Sequence, residues 1–409
     1  MKKLKIAVIG AGQFSQCFVP LYKAHPLVDE VSLCEIDPER LDREARRLGV
    51  SRTFASYGEV LKARDIDAVA IFTQRWMHAP MSLEALSAGK HVYSAVPAAT
   101  TLEELQQLVE AVQTTGLTYM MGETSMYYGA TLFCKEKWEA GEFGRFVYGE
   151  GEYYHDMSHG FYEAYQFSGG DQWKSTASYP PMLYPTHSVA LVLAVTGARA
   201  TSVSCLGYRD EHEDGVFRED VSLWKNAFSN QSALFRTSDG GMLRVNEFRR
   251  VGLGGGRSVR GSIYGTEGTF EEQANGAIWS TRDKKVFPIE DQLRCRDVRQ
   301  EEMDRIKVDP ALLAEFSEGF AKVHEKFRGR LPSSYRDQPN GHQGSHQFLT
   351  DDFITAAAHG TRPTVSVWDA ARFNAPGIIA HESSLREGEH LRVPDFGTGT
   401  NAFYLNEFA

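Results

Sequence analysis

The chain has 409 residues, 42% of them hydrophobic, and a formal net charge of −10 at pH 7. This length predicts two domains. The net negative charge argues against nucleic-acid binding, because a phosphate backbone would repel an acidic protein. No apolar run reaches the length of a membrane span, and strand-like residues begin almost at Met1, so we expect a cytoplasmic protein that binds no membrane. The five cysteines are scattered without metal-ligand spacing, which predicts reduced thiols and no metal site.

The opening residues have the pattern of a strand, a glycine turn and a helix. Lys5–Ile9 is a short apolar run typical of a strand covered on both faces, and Phe14, Phe18 and Leu21 follow at helical spacing within 13–23. A helix that starts after such a turn points its backbone N–H groups at a ligand above the strand end, usually a pyrophosphate. Ser15 replaces the third glycine of the fingerprint. We expect the cofactor to contact Gly10, Gly12, Gln13 and Phe14.

An acidic cluster follows the predicted second strand, residues 30–36. Glu35 stands about twenty residues beyond the glycine turn, where a carboxylate accepts hydrogen bonds from the ribose hydroxyls of a dinucleotide. It would repel a 2′-phosphate, so NAD is favoured over NADP as the cofactor. The alternative is a plain surface role for Glu35. Asp37 has the position of an N-cap for a helix over 38–49.

Strand-like and helix-like segments alternate over the first 120 residues or so. Strands are predicted over 67–73, 91–96 and 117–122, and Thr101 with Glu104 has the form of a capping box before an amphipathic helix. This alternation predicts a doubly wound parallel sheet, a Rossmann domain, over residues 1–124. Ligands bind at the carboxyl ends of such strands. Further cofactor contacts are therefore expected at Thr73, His78, Val96 and Pro97.

The alternation stops near residue 124, and residues 125–409 are predicted to form a second, α+β domain. Helices are expected over 131–141, near 310–327 and over 347–359. The many strand-like segments predict a large, open, mostly antiparallel sheet. These segments are 145–154, 200–208, 221–228, 231–237, 241–247, 259–265 and 276–280. The glycine-rich stretch 249–260 lacks phosphate-loop spacing and is predicted to be a hairpin or a substrate-side loop.

The stretch DAVAIFTQRWMHAPMSLEALSAGKHVYSAVP, residues 67–97, resembles the Gfo/Idh/MocA family of NAD(P)-dependent sugar and inositol oxidoreductases. The resemblance implies NAD as cofactor, a carbohydrate substrate, and a homo-oligomer (dimer or tetramer) in which one face of the second sheet is covered by another subunit. The family usually continues with Glu-Lys-Pro, whose Lys touches substrate. This chain has Ala95-Val96-Pro97 instead. Valine holds no charge, so an ordinary alcohol–ketone interconversion does not follow.

The segment PMLYPTHSVALVLAVTG, residues 181–197, lies where the family carries a catalytic His. Here that residue is His187, with Tyr184 three residues before it, so both are able to reach one ligand from the start of a helix. A histidine suits the removal of a hydroxyl proton near neutral pH. The alternative is a buried His that caps a neighbouring strand.

Three departures from the common pattern occur together: AVPAA at 95–99, EGEYYHD at 150–156 and YPTH at 184–187. Together they resemble the branch that includes glycoside hydrolase family 109. The resemblance implies glycoside cleavage through transient oxidation at sugar carbon 3, elimination, water addition and re-reduction.

By position in this branch, His187 takes the hydroxyl proton, Tyr184 assists, and Tyr153 handles the proton on carbon 2. Tyr153 is equally readable as a packing residue, and His155 and Asp156 either bind sugar hydroxyls or simply end the strand. His342, in a segment that resembles the branch's Gly-His-Gly-Gly, is a substrate contact or part of a structural loop. Two other functions stay open: a net sugar or cyclitol dehydrogenase, and a non-catalytic cofactor-binding sensor.

Overall fold

The structure is a computed structural model and describes residues 3–253, 257–296 and 318–399. The chain divides into two compact units. The first contains Met1–Tyr127, Cys295–Ala371 and Phe396–Ala409, and the second contains Tyr128–Arg294 and Arg372–Asp395. The division near residue 127 lies close to the predicted boundary at 124. Among the described residues, 295–296 and 318–371 belong to the first unit.

The first unit is built on a parallel sheet. In the described part of this unit the strand order is β3-β2-β1-β4-β5-β6, the order of a doubly wound sheet, so the predicted Rossmann fold is confirmed. The carboxyl ends of all its strands lie at one edge. The strands are β1 (Leu4–Ile9), β2 (Val28–Cys34), β3 (Arg52–Phe54), β4 (Ala68–Ile71), β5 (His91–Ser94) and β6 (Tyr119–Met121).

The helices of this unit begin and end where their sequences carry caps. Asp37 accepts hydrogen bonds from the N–H groups of Glu39 and Arg40, as its predicted N-cap role requires, and Thr101 with Glu104 forms the predicted capping box. The first predicted helix is instead broken between residues 16 and 19, since Pro20 lacks an N–H for the turn before it. The helices are α1 (Gln13–Gln16), α2 (Val19–Ala24), α3 (Pro38–Leu48), α4 (Tyr57–Lys62), α5 (His78–Ser87) and α6 (Leu102–Thr115).

The second unit is built on a large open sheet. Among the described residues its strand order is β14-β13-β12-β11-β7-β10-β9-β8-β15, and every pair is antiparallel except β7 with β10. The predicted mostly antiparallel sheet is therefore confirmed. Its strands are β7 (Phe146–Tyr154), β8 (Ala200–Arg209), β9 (Phe228–Thr237), β10 (Met242–Phe248), β11 (Val259–Gly265), β12 (Gly268–Gln273), β13 (Gly276–Thr281), β14 (Val286–Pro288) and β15 (Leu391–Arg392).

The remaining helices follow in chain order. They are α7 (Gly129–Glu139), α8 (Tyr162–Gly169), α9 (Trp173–Ala177), α10 (Thr186–Thr196), α11 (Glu290–Leu293), α12 (Ser345–His359) and α13 (Val367–Leu385). Of these, α12 lies in the first unit, and α13 begins in the first and continues in the second. The helix predicted near 310–327 lies outside the described residues as far as residue 317, and its described end is a short 3-10 turn at Lys322–Lys326.

Helix α10 packs directly on the backbone of the second sheet. Gly149 and Gly151 of β7 and Gly261 of β11 face it, and a Cβ built on Gly151 would overlap the carbonyl oxygen of Ser188. Because side chains alternate along a strand, Tyr153 points to the same face of β7 as these glycines. Because the glycines have no side chains, the start of α10 packs close to β7, beside Tyr153.

The structure corrects two expectations about the strands of the second unit. Residues 221–227 form turns, although 221–228 reads as a strand, and β9 begins only at Phe228. Strands β12 and β14 were not predicted, since each is short and bounded by polar residues. None of the five cysteines forms a disulfide, and four of them are buried.

Candidate active site

The glycine turn after β1 offers an open backbone cradle. Gly10 has φ +92°, and a Cβ there would lie 3.0 Å from the carbonyl oxygen of Phe72, so only glycine suits the position. A Cβ on Gly12 would meet nothing within 4 Å, and no side-chain hydrogen bond from the described residues caps the Gly12 end of α1. The space and the N–H groups of this turn fit a bound diphosphate.

Glu35 is tied to this turn. Its carboxylate accepts the N–H groups of Ala11 at 2.9 Å, Ile36 at 2.9 Å and Asp37 at 3.1 Å, and the Arg40 guanidinium lies 3.7 Å away. A carboxylate has about four acceptor sites. Glu35 therefore holds the turn in shape with three of them and keeps capacity for one more donor, which is consistent with both a structural role and a contact to ribose.

His78 connects two of the loops at the same edge. Its ring nitrogens lie 3.1 Å from the carbonyl oxygen of Thr73, after β4, and 2.9 Å from that of Pro97, after β5. The side chain is fully buried, and burial lowers the pKa of the imidazole. His78 thus links the loop after β4 to the loop after β5. Val96, in the second of these loops, is also buried and has only an apolar side chain.

His342 lies beside the glycine turn within the first unit. Its ring centroid is 5.2 Å from that of Phe14, and its Nδ1 is 3.0 Å from Nε2 of the fully buried His346. His342, Gln343 and Gly344 have φ values of +45°, +54° and +84°. Two non-glycine residues in succession in the left-handed region are strained, and such strain is typical of functional loops.

Tyr153, Tyr184 and His187 form one cluster in the second unit. The ring centroids are 5.4 Å apart for Tyr153 and His187, 5.3 Å for Tyr184 and His187, and 6.1 Å for the two tyrosines. His187 is the second residue of α10, whereas Tyr184 lies before the helix, in the segment that enters it. The structure therefore brings together all three residues that were predicted to do acid–base chemistry.

His155 and Asp156 have different surroundings. The His155 ring lies 5.7 Å from that of Tyr153 and 3.9 Å from that of Phe161, at the edge of the cluster. The Asp156 carboxylate accepts the N–H groups of Ser158 and Val251, both at 2.9 Å. Asp156 thus caps the turn that follows β7, and the His155 ring lies at the edge of the cluster.

A buried charged pair beneath this cluster was missed from the sequence. Glu247, on β10, accepts from Arg249 Nη2 at 2.9 Å and from the hydroxyl of Ser188 on α10, and it is fully buried. Burial raises the pKa of Glu247 to about 7. Leu243, Val245 and Glu247 alternate along β10, so Glu247 takes an inward position of the strand. A carboxylate at such a position needs a buried partner, and this pattern is the sequence signal for the pair.

Two observations concern other kinds of site. Within the described residues, no group of three or more His, Cys, Asp and Glu side chains is arranged to hold a metal ion. None of the helices in the described ranges combines the length and apolarity needed to cross a membrane.

Comparisons with known proteins agree with the resemblance noted above. Residues 4–123 match the family model described as "Oxidoreductase family, NAD-binding Rossmann fold", that of Gfo/Idh/MocA. A protein of Streptomyces filamentosus called glycosyl hydrolase family 109 protein is 26% identical, over 97% of this chain and 78% of its own length.

Two solved structures show the same fold. A levoglucosan dehydrogenase in complex with NADH and levoglucosan is 19% identical with a TM-score of 0.71, covering 96% of this chain and 100% of its own. The scyllo-inositol dehydrogenase of Lactobacillus casei, with NAD(H) and scyllo-inositol, is 16% identical with a TM-score of 0.67, covering 96% and 99%. At these identities the likeness concerns the fold alone.

The predicted resemblance and the predicted cofactor are therefore confirmed. The first unit carries the NAD-binding domain of an oxidoreductase family, so the protein is an NAD-dependent enzyme.

Proposed function

We propose that this protein, whose residues 4–123 form a Gfo/Idh/MocA NAD-binding domain, cleaves glycosides through transient oxidation at sugar carbon 3. Elimination of the aglycone, addition of water and re-reduction complete the reaction. The observation that carries the proposal is the cluster of Tyr153, Tyr184 and His187, which joins an imidazole to two phenols in the second unit. The names of the relatives that align with nearly the whole chain support it.

NAD is held, in this proposal, by the turn at Gly10 and Gly12, the N–H groups of Gln13 and Phe14, and Glu35. Thr73 and the backbone at Val96 and Pro97 complete the contacts. The bound dinucleotide supplies the acceptor and the donor of the hydride. The open space at Gly12 is the feature of this unit that supports the assignment.

His187 acts as the base for the sugar hydroxyl. A neutral imidazole at the start of a helix accepts a proton near neutral pH, and Tyr184, with its ring 5.3 Å away, orients the sugar or assists the transfer. Tyr153 takes the proton of carbon 2, which a neighbouring keto group has made acidic. Val96 is consistent with these roles, since the position holds no lysine to support a simple alcohol oxidation.

A test of the reaction uses purified protein with no added cofactor. We expect release of the phenol from an aryl glycoside without net formation of NADH, and exchange of the hydrogen at carbon 2 in D₂O. Exchange decides between mechanisms, because elimination breaks that C–H bond. No release of phenol from any member of a broad panel of aryl glycosides, with both anomers represented, would contradict the proposal.

The second candidate is a net dehydrogenase of a sugar or cyclitol. Two solved structures with the same fold favour it, because one is a levoglucosan dehydrogenase and the other a scyllo-inositol dehydrogenase. Stoichiometric formation of NADH from free sugars, with no exchange at carbon 2, would select this function over glycoside cleavage.

A further inference from the structure

The buried pair of Glu247 and Arg249 places a fixed positive charge against one face of Tyr153. The guanidinium carbon of Arg249 lies 4.6 Å from the centroid of the Tyr153 ring, and both side chains are buried. We propose that Arg249 is a positioning residue that stabilises the phenolate of Tyr153 and so prepares this side chain to act as a base. Glu247 and Ser188 hold the guanidinium in place.

Three hydrogen bonds fix Arg249. Nη2 donates to Glu247 Oε2 at 2.9 Å, and Nη1 donates to the carbonyl oxygens of Phe248 at 3.1 Å and Tyr153 at 3.3 Å. Glu247 is held in turn by the hydroxyl of Ser188, which donates to it and whose oxygen lies 2.9 Å from the carbonyl oxygen of Pro185. The cation therefore has one position, set by β7, β10 and the start of α10.

A fixed cation near a phenol favours its ionised form. Phenolate carries a full negative charge, whereas phenol offers only the weak attraction of its ring face, so the cation stabilises the ionised state more. The interior has a low dielectric constant, which strengthens the difference. Ionisation releases the hydroxyl proton to water, and the phenolate then takes a proton from sugar carbon 2 while that C–H electron pair expels the aglycone.

The other ionisable groups around Tyr153 come from several elements. Glu247 lies opposite Tyr153 in the register of β10 with β7, and its negative charge partly offsets that of Arg249. His187, Tyr184 and His155 contact the ring from α10, its entry segment and the end of β7. Tyr128 packs in the same cluster of buried residues. Arg249 is the permanent cation of this set.

The test reads the ionisation of Tyr153 directly. All 17 tyrosines of the chain are replaced biosynthetically by 3-fluorotyrosine, and the ¹⁹F resonance of Tyr153 is assigned by its loss in Tyr153→Phe. Fluorine lowers the pKa of a phenol and brings the titration into an accessible range. This readout needs no turnover. The role of Tyr153 as a base rests on the proposed function, but a failed glycosidase assay leaves the titration intact.

We expect Arg249→Met to raise the titration midpoint of Tyr153 by about one unit or more. Glu247→Gln, which removes the opposing anion, should lower it, and such opposite shifts from two partners of one ion pair do not follow from a structural role. If Arg249→Met fails to fold, Arg249→Gln and Glu247→Gln provide the same comparison.

Arg250→Met is the matched control. Arg250 is the neighbouring arginine, also largely buried, and its guanidinium lies 5.6 Å from the ring of a different tyrosine, Tyr162. We expect it to leave the Tyr153 midpoint unchanged. Equal midpoints in the unaltered protein, Arg249→Met and Glu247→Gln, or no titration of Tyr153 in any of them, would overturn the proposal.

Discussion

His187 is the residue on which the acid–base chemistry of the proposed reaction depends most directly. It is buried at the start of α10, and aromatic rings contact it from β7 and from the segment before the helix. Such surroundings restrict the imidazole to one orientation and exclude most water. A base held in a fixed geometry is efficient in proton transfer.

Substitution of His187 by Gln should lower turnover by about 10²- to 10⁴-fold, because the base is lost. Binding of NAD, measured by quenching of intrinsic fluorescence, should change little, since the cofactor contacts belong to the first unit. His212→Gln is the control, as this histidine is exposed in a loop. Turnover within twofold of the unaltered enzyme in His187→Gln would remove the residue from the mechanism.

Glu247 should give the protein a measurable dependence of stability on pH. Burial raises its pKa to about 7, above the value of about 4.5 in the unfolded chain, so the folded state binds the proton more tightly. Its stabilising contribution is therefore complete below about pH 4.5 and is lost as the pH rises through 7.

Glu247→Gln removes this dependence. The free energy of unfolding of the variant, minus that of the unaltered protein, should increase by about 3 kcal/mol between pH 4.5 and 8. Urea denaturation at a series of pH values measures it, and the contributions of other groups, such as Glu272 with its similarly raised pKa, cancel in the difference. A difference that is flat or falls with pH would show that Glu247 is ionised throughout.

Among the elements, α10 and the second sheet together position the cluster of Tyr153, Tyr184 and His187. The strand β7 carries glycine at two successive inward positions, Gly149 and Gly151, followed by Tyr153. The missing side chains let the helix backbone approach the strand, and the tyrosine then stands at the end of the groove beside His187. The same short stretch of β7 thus contacts α10 through its glycines and contributes Tyr153 to the cluster.

Gly151→Ala should destabilise the protein by at least about 2 kcal/mol, because the added methyl group would overlap the carbonyl oxygen of Ser188. Turnover should fall as well, since α10 carries His187. Gly276→Ala is the control: it lies in β13, where a Cβ meets nothing within 4 Å, and we expect a change within about 0.5 kcal/mol. Equal unfolding midpoints in urea for the two variants would contradict the close helix–strand contact.

At the scale of the whole molecule, the outer face of the second sheet is the feature that concerns assembly. Leu206, Leu234 and Met242 point away from α10 and are 65%, 51% and 44% exposed. Large apolar side chains exposed on one face of a sheet are typical of a face that another subunit covers. The resemblance to the Gfo/Idh/MocA family implied such an assembly, and we expect a homo-oligomer held by this face.

Leu234→Asp should therefore shift the protein toward monomer, because a charge would be buried in the interface. Multi-angle light scattering after gel filtration gives the mass directly, to be compared with 45.7 kDa for one chain. Leu223→Asp is the control, since Leu223 is similarly exposed but lies in a loop outside the sheet. A monomeric unaltered protein, or equal masses for both variants, would remove this face as the interface.

The fold class and the cofactor were predictable from patterns within the amino-acid sequence. The glycine turn, the caps at Asp37 and Thr101, and the periodicities of strands and helices are local signals, because each depends on residues a few positions apart. His187, Tyr184 and Tyr153 were instead identified from short motifs that resemble those of a known family.

Contacts between residues that are distant in the chain were not predictable from the sequence. Arg249 lies against Tyr153 from 96 positions away, and residues 318–371 pack with the first unit although the chain has by then passed through the second. No local pattern encodes such partners, because burial and pairing depend on how the strands are ordered in the sheet. Arg249 lies against Tyr153 because β7 and β10 are neighbouring strands of the sheet, and this pairing cannot be deduced from the sequence.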